Sequence, residues 1–263
     1  MSHSPYTNKK VMEDWLEDLG VLDTLATAAK IIQLAANNPD YPEHARNASK
    51  GMNHYELVAE NLNRVTLTGD KFATFQKEPI AENLEALATD LPQEAYPLLR
   101  DLSLPRGLYR SDSYKNMPFW EVSTCCSLVM QSANRFGGID KIRWESSTKK
   151  RIISATNHYV QETLDIPGLD DLVEDLPLRL PILVVAYNIS PEGELKEFVL
   201  GLPAPVERRS QSPWVWNIDV LARAASSGSP SVAASSAQEV QPTNRSEAPA
   251  VPDAHVKLKK AAE

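Results

Sequence analysis

The segment at 182–202, ILVVAYNISPEGELKEFVLGL, restricts the fold more than any other part of the chain. β-Branched and aromatic residues crowd its first eight positions, a Ser-Pro-Glu-Gly turn follows, and a second β-rich run returns to Leu202. This pattern predicts a β-hairpin. Pro181 and Pro203 bracket it and limit how far either strand extends. The outgoing strand is apolar at nearly every position, so it is expected to be central and covered on both faces. The return strand alternates more, with Glu194, Lys196 and Glu197 expected to reach solvent. Because an isolated hairpin is only marginally stable in water, a further strand must pair with it. Residues 141–145 (KIRWE) are expected to supply one, and Trp214 and Trp216 in PWVWNIDVL a further edge strand or a closing lid.

Before the hairpin, helical spacing dominates. Leu22, Leu25, Ala29, Ile32 and Ala36 recur at steps of three and four, an apolar stripe along one helix. Gly20 separates it from a shorter helix carrying Trp15, Leu16 and Leu19, and Asn37-Asn38-Pro39-Asp40 ends it. Tyr55, Val58, Leu62 and Val65 form a second stripe. Ile80, Leu84, Leu87 and Leu91 form a third, opened by Pro79. Residues 102–118 read as a loose connection with at most one short strand. Phe119, Val122, Cys126, Val129, Ala133 and Phe136 restore the helical step and predict a helix stopped by Gly137-Gly138. Ile153, Val160 and Leu164 suggest another, ended by Pro167-Gly168 and followed by a short turn over 169–176.

The expected class is therefore α+β, mostly helical, packed on a small antiparallel sheet built around the hairpin at 182–202. From residue 222 onward the chain is rich in Ala, Ser and Pro and almost lacks large apolar residues. Such a segment cannot bury enough surface to offset its ordering entropy. The domain expectation is a flexible N-terminus over 1–9, one domain over 10–221 and a disordered tail over 222–263.

The formal net charge of −8 argues against a non-specific nucleic-acid binder, since phosphate is bound through clustered Lys and Arg. Cys125 and Cys126 are adjacent, which disfavours a mutual disulfide, and there is no CxxC. They read as reduced thiols. The N-terminus lacks the apolar core of a signal peptide, and no run approaches the ~20 apolar residues of a membrane helix. A cytoplasmic protein without a membrane partner is expected.

Three constellations could carry chemistry. Arg135, Lys141, Arg143, Lys149, Lys150 and Arg151 make 135–151 basic, with Trp144 as a stacking surface for a phosphate-bearing or acidic partner. The competing reading is a solvated face that pairs with the acidic residues Glu162, Asp165, Asp170, Asp171, Glu174 and Asp175. Glu194 and Lys196 form an E-x-K on the return strand, the arrangement by which a metal-dependent nuclease holds Mg²⁺ and steadies water. However, the preceding strand offers Asn188 where that chemistry needs an Asp. Cys125 or Cys126 with His158 could form a nucleophilic pair, but Cys126 falls on an apolar stripe, which favours core packing. The five histidines are scattered, with no spacing that holds a transition metal. No nucleotide-binding glycine motif and no hydrolase elbow occur. These features predict a non-enzymatic regulatory or interaction protein that binds another protein and needs no cofactor. A nuclease or other hydrolase using Glu194 and Lys196, and a DNA-binding regulator using 135–151, are the alternatives.

Overall fold

The computed structural model describes residues 5–37, 50–77, 79–102, 108–114, 117–122, 125–144, 150, 153, 181–204 and 212–226. The chain is α+β. Two helices open it, α1 (Lys9–Asp18) and α2 (Val21–Asn37). The Asn8 side chain caps α1 by accepting from the amides of Lys10 and Val11, at 3.1 and 3.3 Å. Gly20, at φ 75°, makes the left-handed turn between the helices that only glycine adopts without strain. Helix α2 is the hub. Leu22, Leu25, Ala29 and Ile32 are buried as their spacing requires, and Ala28 and Ile31 on its other side are buried too. It packs against α3 (Lys50–Thr66) and the last helix, α7 (Val220–Ser226). Between α3 and the sheet run the one-turn helices α4 (Gly69–Phe72), α5 (Leu84–Leu87) and α6 (Tyr96–Arg100). The third predicted stripe is thus divided between a 3-10 turn at Ile80–Asn83 and α5.

Among the described residues, six strands form one mixed sheet in chain order: β1 (Leu108–Tyr114), β2 (Met117–Val122), β3 (Cys126–Ser132), β4 (Ile182–Ile189), β5 (Leu195–Pro203) and β6 (Trp214–Asp219). The hairpin at 182–202 is β4–β5, and the Trp214 segment is the edge strand β6. The sheet is larger than the small antiparallel one expected, and its central joint is parallel, with Ser127 opposite Ile182 and Ser132 opposite Tyr187. All other pairs are antiparallel.

Two sequence expectations fail here. The described residues of 119–136 belong to β2, β3 and a 3-10 turn at Asn134–Phe136, not to a helix. The reason is double coverage. Cys126 through Gln131 are all buried, polar Ser127 and Gln131 included, so no contrast between inward and outward positions marks a strand and a step of three or four can be picked out of the apolar residues. Residues 141–144 of the expected 141–145 strand are not a strand either: Ile139–Lys141 is a 3-10 turn, the chain is irregular from Ile142 to Trp144, and residue 145 lies outside the described residues. Gly137 and Gly138, at φ 74° and 133°, turn the chain sharply. The amides of Lys141 and Ile142 donate within this turn to the carbonyls of Gly138 (3.2 Å) and Ile139 (3.3 Å), which removes donors that a ladder would need. The pairing that the hairpin requires comes from β3 and β6 instead. The proposed helix of 153–166 and the turn over 169–176 lie outside the described residues, apart from buried Ile153.

The sheet has two unlike faces. On one, Leu183, Val185 and Tyr187 alternate into the main core against the helices. On the other, Ile182, Val184 and Ala186 join Phe119, Val129 and Trp144 in a second cluster. As expected for β4, both faces are covered. Polar fasteners tie helices to sheet. The Trp120 indole donates to Asn63 Oδ1 (3.2 Å) and Thr68 Oγ1 (3.3 Å), joining β2 to the end of α3. Buried Arg64 pairs with Glu60 at 3.2 Å and lies 5.2 Å over the Phe72 ring. Arg223 on α7 reaches Glu17 and Asp23, each at 3.0 Å, while Trp216 Nε1 donates to Tyr6 O at 2.7 Å. Pro5–Thr7 accordingly forms a short 3-10 turn, and α7 continues past residue 221 within a compact unit that reaches Gly228. Residues 229–263 lie outside the described residues. No single helix among the described residues is long and apolar enough to cross a membrane.

Candidate functional site

A cleft of about 430 Å³ opens on the second face of the sheet, where β5 and β6 meet the start of α7 and the 3-10 turn at Ile139–Lys141. That volume falls in the range of small-ligand and side-chain pockets. Its walls are unlike. Leu221, Ala222 and Ala225 supply an apolar side from α7, and Val199 and Ile139 add to it. Asp140, Glu197, Asp219 and Asn217 supply the polar side, with Lys196 at the rim.

The register of the hairpin explains Glu197. Asn188 stands opposite Glu197 while Ile189 stands opposite Leu195, so Lys196 is the extra residue of a β-bulge. Asn188 and Glu197 therefore share a face. The Asn188 amide donates to Glu197 Oε2 at 2.8 Å, and the Ile139 amide donates to the same oxygen at 3.2 Å. Two donors on one oxygen fix the carboxylate's orientation before any ligand arrives. The same contacts hold Ile139, whose carbonyl accepts from the Trp214 indole, so the turn that walls the cleft is pinned to β5 and β6. Nearby, Asn134 bonds both backbone groups of Ile189 (2.8 and 3.0 Å) and extends β4 with its side chain. Asp219 accepts from the Ala222 amide at 2.9 Å and so caps α7. One carboxylate is thus held by the sheet, one by a helix cap, and Asp140 stands exposed on the turn.

Lys196, which also pairs with exposed Glu194, leaves the lining residues acidic on balance, with three carboxylates against one ammonium. Among the described residues, the cleft lining includes no Ser, Thr, Cys, His or Tyr. Its chemistry is that of an acceptor: fixed carboxylates beside apolar walls suit a cation carried on an apolar stem.

The sequence-derived candidates are only partly assembled there. Glu194 and Lys196 are both exposed and paired with one another; Lys196 lines the cleft and Glu194 does not. Asn188, standing where a metal-binding Asp was sought, orients Glu197 instead. Among the described residues, no three His, Cys, Asp or Glu side chains are grouped to hold a metal ion. In the basic stretch, Arg135 is exposed and stacks 4.5 Å over Phe136, Lys141 and Lys150 are exposed, and Arg143 is half-buried. Lys149 and Arg151 lie outside the described residues. Trp144 is no stacking platform: it is 8% exposed and packs edge-on against Trp214 with ring centres 5.6 Å apart. Cys125 and Cys126 are buried in the main core, at the turn and first residue of β3 rather than on a helix. The hydrogen bond from Cys125 and burial together push the Cys126 thiol's pKa up, against thiolate chemistry. His158 lies outside the described residues.

Sequence reasoning missed Glu197, Asp219, Asn217 and Asp140 as a set. One signal was available: a polar Asn at 188 interrupts an otherwise apolar strand, which points to a partner on the neighbouring strand. Comparison with known proteins finds no family model, no curated protein and no solved structure that matches this chain.

Proposed function

We propose that this chain is a cytoplasmic, non-enzymatic binding protein that takes a basic segment of a protein partner into the cleft beside β5 and β6. The observation that supports this reading is the Glu197 carboxylate, oriented by Asn188 and Ile139, within a cleft shared with Asp140 and Asp219. A lysine or arginine side chain matches both walls, its methylene stem on Leu221, Ala222 and Ala225 and its cationic head on the carboxylates. Exposed single ion pairs contribute only ~0.2–1 kcal/mol each. Useful affinity therefore needs several of these carboxylates together and should weaken as salt screens them.

The test is fluorescence anisotropy of a labelled lysine-rich peptide titrated with the full chain at low and raised salt. Binding should fall with salt and be lost in the triple variant Asp140→Asn, Glu197→Gln, Asp219→Asn, which keeps the hydrogen-bond acceptors that hold Ile139 and cap α7. Equal binding by the variant would overturn the reading. So would a preference for duplex DNA over the peptide, or Mg²⁺-dependent cleavage of nucleic acid lost in Glu194→Ala.

A further inference from the structure

We infer that the partner segment binds as an added β-strand along the outer edge of β6, with a basic side chain dropping into the cleft opposite Asp219; this rests on the basic-segment reading above. β6 is the last strand of the sheet, and among the described residues no strand lies on its outer side. Unpaired strand edges are templates for another strand unless they are blunted by bulges, proline or charge. β6 is blunted at one end only. Pro213 precedes it, and the register slips between Leu202 and Pro203, beside Trp214. From Trp216 to Asp219 the ladder with β5 is regular, and among the described residues no strand pairs with the other edge of this stretch, next to the cleft.

The register also settles which side chains meet. Asn217 and Asp219 stand opposite Gly201 and Val199, on the face that carries the cleft. Trp216 and Ile218 point the other way, into the main core. Alternate residues of an incoming strand would share the face of Asn217 and Asp219, about 4.5–5.5 Å away between β-carbons. A lysine or arginine there contacts Asp219 directly and extends toward Glu197 on β5. At the other end, Val215 is 45% exposed, one of two large apolar side chains so exposed among the described residues. It is the extra residue of the slip beside Trp214 and marks the blunted end of this edge. Backbone pairing supplies affinity in this mode, and the pocket for alternate side chains supplies selectivity.

The probe is a nine-residue peptide alternating threonine and lysine, prepared unmodified and in two versions with N-methyl groups on alternate amides, one on the lysines and one on the threonines. In a strand, alternate amides point to opposite sides, so only one of the two versions loses its hydrogen bonds to β6. With the full-length chain, one version should bind roughly tenfold or more weakly and the other should stay close to the unmodified peptide. Deuterium uptake should slow over 214–219 and stay unchanged over 108–114, the opposite edge. If both methylated versions bind like the unmodified peptide, strand addition is wrong while the cleft reading survives. If the unmodified peptide does not bind at low salt, both fall. Protection at 108–114 instead of 214–219 would also overturn the inference.

Discussion

The edge of the Trp214 ring occupies the space a β-carbon on Gly201 would need: such an atom would lie 2.7 Å from Trp214 Cε3 and 2.8 Å from the Trp216 carbonyl oxygen. Gly201 is thus the thin point of β5 over which the indole lies, and the indole in turn holds the Ile139 carbonyl at the cleft wall. Close approach, not backbone freedom, is why a glycine stands in this strand.

Gly201→Ala should therefore destabilise the fold by ~1–3 kcal/mol, the usual cost of forcing a methyl into a packed site. It should also displace Trp214 from Trp144. Thermal unfolding with near-UV circular dichroism reads both effects, and an unchanged midpoint with an unchanged aromatic signal would refute the packing argument.

Tyr187 carries an opposite expectation. Its side chain is fully buried on the helix-facing side of β4, and among the described residues its hydroxyl makes no hydrogen bond, with Ser132 its ladder neighbour on β3. Burial pushes the phenol's pKa above its ordinary value. Removing an unsatisfied buried hydroxyl while keeping the ring relieves a desolvation cost of ~1–3 kcal/mol. Tyr187→Phe should be neutral or stabilising in urea unfolding, and a clear loss of stability would show that the hydroxyl is satisfied.

Glu60 should govern part of the acid limb of stability. Burial raises its pKa, yet the hydrogen bond and charge of Lys71 at 2.7 Å, with Arg64 beside it, outweigh burial and hold it below the usual 4.5. A carboxyl depressed in the folded state contributes stability that is complete above the unfolded value and is lost as pH falls through the folded one. Acidifying from about pH 6 to about pH 3 should therefore cost the native chain more than Glu60→Gln. Parallel loss in both proteins would place the acid sensitivity elsewhere.

The helices α1, α2 and α3 were legible because each is covered on one side more than the other, or, for α2, because small and large apolar residues keep a helical step. The β4–β5 hairpin was legible because its turn is local. β2 and β3 were not. With Cys126 through Gln131 wholly buried, periodicity says nothing about strand or helix, and the density of β-forming residues in FWEV and SLVM was the better guide. The parallel pairing of Ser127 with Ile182 leaves no local trace, since its partners are far apart in sequence. At the site, Asn188 and Glu197 were both in view, but the bulge at Lys196 shifts the frame by one residue and hides that they face each other. Asp140 and Asp219 look like any surface carboxylates until the fold brings both to the walls of one cleft.

The parallel joint between β3 and β4 also divides the sheet in time. β1–β2–β3 and β4–β5–β6 are each a run of neighbours in sequence, able to zip from short turns, whereas joining them must close a loop of nearly fifty residues between Ser132 and Ile182. The seam between the two triplets therefore carries the largest loop-closure cost in the sheet. Leu183, Val184 and Val185 beside it are buried, so their amides should be among the slowest to exchange hydrogen.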